Sequence, residues 1–157
     1  MSPPRRAACA CAVMLATSFA AAETPPVMRG YAFDQPLVLA DQILWGVFSA
    51  SRLLARQCAG AAHYAAANAW VNWQERERDE VLAINSRLAR YYFNSDAAPL
   101  DLLDQVLRLQ TSLDLTTQQL QAACASLPQA LAQPRYDLGR RRAAILEGVG
   151  RHDRDRR

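Results

Sequence analysis

The sequence predicts an all-α protein: a small up-down bundle of three main amphipathic helices plus a short C-terminal helix, closed by one disulfide. Three observations point there. Apolar residues recur at alternating three- and four-residue steps over long stretches, the spacing of one helix face. The breaks between those stretches are brief, at Gly60, Asn94 and Pro128. Two cysteines, Cys58 and Cys124, fall at the ends of the first and third stretches.

Ahead of the helices, "MSPPRRAACACAVMLATSFAAAE" has a basic start at Arg5 and Arg6, then an uncharged run from Ala7 to Ala22. That run is shorter than the ~20 residues that span a bilayer, and Phe19 to Ala22 offers an A-x-A cleavage site. Residues 1–22 therefore read as a cleaved signal peptide, and the mature chain as periplasmic or secreted with no transmembrane segment. The adjacent arginines lack the continuation of a twin-arginine signal. Cys9 and Cys11 stand at the front of the run, where a lipidated cysteine would not. Residues 23–36, "ETPPVMRGYAFDQP", read as irregular, with Tyr31 and Phe33 packing onto the bundle.

The bundle domain is expected over 37–149. Its first helix carries the stripe Leu37, Ala40, Leu44, Val47, Ser51, Leu54 and Cys58, and Gly60 is a natural stop. "AGAAHYAAAN" permits helix throughout, so length decides: starting the second helix at Asn68 gives ~39 Å, against ~33 Å and ~40 Å for its neighbours. A short separate turn across the linker is expected. The second stripe runs Trp70, Trp73, Glu77, Val81, Ile84, Leu88 and Tyr91, with Asn94 as its cap. The third runs Leu103, Val106, Gln110, Leu113, Thr117, Leu120 and Cys124. Thr116 and Gln119 either form a capping box that breaks this helix or lie in uninterrupted helix. After Pro128 the pattern weakens to a short helix presenting Leu138, Ile145, Leu146 and Val149, and 150–157 reads as a disordered basic tail.

In an up-down-up bundle the first and third helices end at the same pole, where Cys58 and Cys124 fall. After cleavage they are the remaining cysteines, and an even count in an oxidising compartment reads as one disulfide. Neither belongs to a C-x-x-C pair, and the histidines are His63 and His152, so no metal site, haem or other cofactor is expected. The mature chain balances 16 arginines against 15 acids, which argues against a nucleic-acid binder. The basic surplus sits in the tail, where Arg151 to Arg157 alternate with Asp153 and Asp155.

One stretch invites chemistry. "WVNWQERERDE", Trp70 to Glu80, puts Glu77 four residues after Trp73 and seven after Trp70, on one helix face. A carboxylate against tryptophans can act as a general acid, which makes Glu77 the catalytic candidate for a cell-wall-active enzyme. Such an enzyme needs a second carboxylate, and none stands out; alternating charges on a helix are more simply a solvated face. Trp70, Trp73, Tyr91, Tyr92 and Phe93 are the candidate binding residues. "LTTQQ", Leu115 to Gln119, resembles the L-T-x-x-Q pattern of small periplasmic helical chaperones and stress sensors of the Spy and CpxP kind, in a single copy. That resemblance implies capture of unfolded clients. The leading expectation is a non-enzymatic binding protein of the bacterial envelope whose partner is another envelope protein.

Overall fold

The 25 residues Pro36–Gly60 form one helix, α1, with Pro36 in the first turn, where its missing N–H would have had no partner. The computed structural model describes residues 30–155, so the expected signal peptide and its cleavage site lie outside the described residues. α1 buries Ala40, Leu44, Trp45, Phe48, Ala55 and Cys58, and with them Asp41, Gln42, Ser49, Ser51 and Arg52. This face is wider than the expected stripe: Leu37 is 57% exposed, and Val47 and Leu54 are half-buried. The reason is that α2, α3, α5 and α6 all pack on α1, so it is covered from several sides. Its most apolar window has a mean hydropathy of 1.3, and by length and composition alone α1 could cross a membrane. Here it is the core helix.

The linker is a turn at Ala61–His63, in which Ala62 takes a left-handed conformation (φ 60°) and the His63 N–H donates to the Cys58 carbonyl at 2.9 Å. Helix α2 then begins at Tyr64, earlier than expected, and ends at Arg76. The second expected helix is divided: α3 spans Arg78–Phe93, and Glu77 between them has φ −92° and ψ 3°. Asn94 ends α3 in the left-handed conformation, as a cap should (φ 52°). Asn85 holds the following connection by two bonds to Ala98, donating to its carbonyl at 2.9 Å and accepting from its N–H at 3.0 Å.

The third expected helix is also divided. α4 covers Leu100–Val106, the chain then runs without helix from Leu107, and α5 covers Thr117–Leu131. Thr116 and Gln119 form the capping box, so the helix-breaking alternative is the one the chain adopts. Pro128 lies inside α5 and does not stop it, and Leu127 and Leu131 on either side are buried in the core. A 3-10 turn at Pro134–Tyr136 leads to α6, Leu138–Asp155, which is longer than the short helix expected and enters the 150–157 segment. The described residues are thus all-helical, with six α-helices and no strand.

The core joins Leu44, Trp45, Phe48 and Trp73 to Ile84, Leu88, Leu103, Leu127, Leu131 and Leu138. Tyr31 and Phe33 do not pack inward as expected: Phe33 is 80% exposed, and Ala32 between them is buried instead. Gln42 explains the exchange, since its Oε1 accepts the Ala32 N–H at 3.0 Å and its Nε2 donates to the Tyr92 hydroxyl at 2.7 Å. Burial raises the Tyr92 phenol above its ordinary value, and the Gln42 bond offsets part of that rise.

Asp41 is 1% exposed and carries α3 and α6 onto α1. Arg87 grips both of its oxygens, at 2.7 and 2.9 Å, and Arg142 Nε reaches Oδ1 at 3.1 Å. The Asp41 hydrogen bonds raise the Arg87 guanidinium above its ordinary range, so Arg87 stays charged at any moderate pH. The disulfide joins Cys58, near the end of α1, to Cys124 in α5.

Two predictions follow from these contacts. Closing a loop of 66 residues contributes ~4 kcal/mol by the chain-entropy estimate, so Cys58→Ser with Cys124→Ser should lower unfolding free energy by about that amount in urea titrations. The Tyr92 shift favours the protonated fold, so stability should fall as pH rises above the phenol's ordinary 10.0. Tyr92→Phe should remove that part of the alkaline loss; an unchanged alkaline limb would show that Tyr92 is not its source.

Candidate functional site

Trp45, Ser49 and Arg52 stand at helical spacing on one face of α1, and all three donate to Asp104 of α4. Trp45 Nε1 reaches Oδ1 at 2.9 Å, Ser49 Oγ reaches the same oxygen at 2.7 Å, and Arg52 Nη2 pairs with Oδ2. Asp104 is 6% exposed, so these bonds replace the water it has lost. Arg52 also meets Asp101 at 3.3 Å and lies 5.8 Å above the Phe48 ring. Above this floor opens a cavity of about 350 Å³. Leu53 and Arg56 continue its α1 wall, and Gln110 and Thr111 close it from the chain between α4 and α5.

A second concavity, of about 440 Å³, lies on another face of α1. Its floor is Ile43, Gly46, Val47 and Ala50, again at helical spacing, and its rim is Arg135, Tyr136 and Arg141. The rim is organised: Arg141 Nη1 donates to the Arg135 carbonyl at 3.2 Å, and the Arg135 guanidinium lies 5.3 Å above the Tyr136 ring. A Cβ placed on Gly46 would meet nothing within 4 Å, so the floor is open.

Glu77 sits at the junction of α2 and α3 and is buried, as its place on the tryptophan face implies. Its Oε2 accepts the Leu138 N–H at 3.0 Å, the first of α6, and Oε1 accepts from Arg76 Nε at 3.2 Å. Asp137 accepts the Arg140 N–H at 2.8 Å, so two carboxylates satisfy the positive end of α6. The neighbours of Glu77 hold the same region. Trp73 Nε1 donates to the Tyr136 carbonyl at 2.8 Å and Arg76 Nη2 to the Leu131 carbonyl at 3.1 Å. At the α2–α3 junction the helical bonds on either side of Glu77 persist, its N–H donating to the Trp73 carbonyl at 3.0 Å and its carbonyl accepting from the Val81 N–H at 2.9 Å.

Of the candidate binding residues, Trp73 and Tyr92 are wholly buried, and Trp70, Tyr91 and Phe93 are partly buried against the core. Trp70 stacks on Trp73 at 5.1 Å and contacts Phe48 at 5.8 Å, while Tyr91 meets Tyr92 edge-on at 4.9 Å. Their apolar area therefore contributes to the interior. His63 lies in the α1–α2 turn, and no group of three or more metal-ligating side chains exists among the described residues. Sequence spacing does not mark Asp41 and Asp104 as buried: Asp114 follows Leu113 of the third stripe in the same way and is exposed. No protein-family model, curated protein or solved structure matches the chain.

Removing a charged acceptor from a buried hydrogen bond costs about 1.5–3 kcal/mol, so Glu77→Ala should destabilise by that amount and Glu77→Gln, which keeps an acceptor, by less. Urea titration followed by far-UV circular dichroism checks both; equal losses would show that the Leu138 contact is not what Glu77 supplies.

Proposed function

We propose that the mature chain is an exported, non-enzymatic binding protein of the bacterial envelope, an up-down helical bundle that docks an acidic, amphipathic segment of another envelope protein along α1. The groove over Ile43, Gly46, Val47 and Ala50 carries this reading. An apolar floor at i, i+3, i+4 and i+7 suits the face of a partner helix, and the Arg135 and Arg141 rim suits carboxylates on its flanks. Export rests on the layout of residues 1–22, and the buried disulfide agrees with an oxidising compartment. The position of Glu77 weighs against the enzyme reading, since both of its oxygens are engaged in holding α6 and Arg76.

The chaperone reading keeps one observation in its favour, the exposed aromatic pair Tyr31 and Phe33 with ring centroids 6.2 Å apart. A pull-down from envelope extract separates the readings. The oxidised protein should retain one stoichiometric partner, and so should Gly46→Ala and Glu77→Gln. Gly46→Glu, which fills the open floor with a charge of the partner's own sign, should lose it. Retention by Gly46→Glu would remove the groove from the account. Many unfolded clients, lost in Phe33→Ser, would favour the chaperone, and hydrolysis of cell-wall fragments lost in Glu77→Gln would favour the enzyme.

A further inference from the structure

The cavity beside Asp104 lies on a different face of α1 from the groove, and its chemistry is different. Ser49, Arg52, Leu53 and Arg56 repeat the i, i+3, i+4, i+7 pattern, six residues further along than Ile43 to Ala50. At 100° per residue that offset turns the second set about a third of a revolution around the helix. The two concavities can therefore act independently.

The charges in the cavity fall into two classes. Asp104 and Arg52 are consumed: both are buried, each is the other's ion-pair partner, and Asp104 also holds Trp45 and Ser49. They form a rigid floor with no site to offer. Arg56 and Asp101 are less engaged among the described residues. Arg56 has no hydrogen bond or ion pair with any described residue. Asp101 has a side chain 87% exposed, held by a single 3.3 Å contact to Arg52. One free guanidinium and one loosely held carboxylate thus face the same cavity of about 350 Å³, with the amide of Gln110 and the hydroxyl of Thr111 beside them.

A lone anion would meet two carboxylates here, and a lone cation would meet two guanidiniums. A molecule bearing both charges a few ångströms apart meets neither penalty, because each end finds the opposite sign. Such a molecule also fits the volume, which is at the small end of ligand pockets.

We propose that this cavity binds a small zwitterion bearing an α-ammonium and a carboxylate, a free amino acid or a dipeptide. Arg56 takes the carboxylate, Asp101 the ammonium, and Leu53 lines the space left for a short apolar side chain. Gln110 and Thr111 supply hydrogen bonds from the connection between α4 and α5, while the Asp104 floor ties α4 to α1. The proposal goes beyond the partner-docking function and does not depend on it.

The test is a two-dimensional NMR titration of the oxidised protein with L-alanine, L-leucine and L-leucyl-L-alanine, each compared with its N-acetyl and its carboxamide form. Saturable shifts at the amides of Arg56, Asp101, Gln110 and Thr111 are expected with the zwitterions. N-acetylation and amidation should each weaken binding by about tenfold or more, as should Arg56→Ala and Asp101→Asn. Arg56→Ala touches no bond of the Asp104 network and Asp101→Asn alters only the 3.3 Å contact to Arg52, and an unchanged thermal midpoint verifies that the network stands. Stronger binding of dipeptide than of either amino acid would assign the site to peptide, and the reverse to free amino acids. Equal binding of the N-acetyl form would make this a simple anion site and overturn the proposal. So would the absence of any shift at these amides up to about 10 mM, a concentration beyond which binding has no specificity to explain.

Discussion

The structure depends on one helix that is apolar enough to be a core and polar enough to need partners. α1 takes Asp41, Gln42, Ser49 and Arg52 out of water, and a buried polar atom without a hydrogen bond costs more than most packing contacts return. Each of these side chains is answered from elsewhere in the chain. Asp41 is answered by Arg87 and Arg142, Gln42 by Ala32 and Tyr92, and Ser49 and Arg52 by Asp104. Among the described residues no buried side-chain nitrogen or oxygen lacks a partner. Apolar packing is tolerant of small rotations and slides; these bonds are not. They fix where α3, α4 and α6 dock on α1, and the disulfide fixes α5.

The same requirement is met at the helix junctions. At the α2–α3 junction the Glu77 carboxylate meets the Leu138 N–H, so the first donor of α6 is satisfied. An uninterrupted helix from Leu103 to Cys124 would be a straight rod, whereas the chain must place Asp104 on Arg52 and Cys124 on Cys58. Splitting it at Leu107 allows both. Arg108, in the left-handed conformation with φ 54°, is the cost of that turn, about 1–2 kcal/mol for a residue with a side chain.

This division also sets what could be read in the sequence. The all-helical class, α1, the Asn94 cap and the cysteine pairing were legible because each rests on local spacing or on elimination. The Thr116 and Gln119 signal was legible as an alternative, since a capping box and an uninterrupted helix use the same residues. Glu77 gave no sign of a junction, because nothing in "QERERD" disfavours helix and the Leu138 N–H that its carboxylate meets lies 61 positions away. The true covering of α1 was hidden for a related reason. A single stripe predicts one neighbour, while a wide face containing Asp41, Gln42 and Arg52 reports several. The aromatic residues near Tyr91 and Trp70 attract attention as binding groups, yet large rings are also what a small domain uses to fill its interior.

The central claim is that individual buried polar side chains on α1 each select the helix that docks there. Amide hydrogen exchange by mass spectrometry, on Asp41→Asn and Asp104→Asn side by side, tests it most directly. The account predicts that Asp41→Asn accelerates exchange in α6 and leaves α4 protected, and that Asp104→Asn does the opposite. Equal acceleration in both helices for either substitution, or none in the helix named, would show that apolar packing alone sets the arrangement.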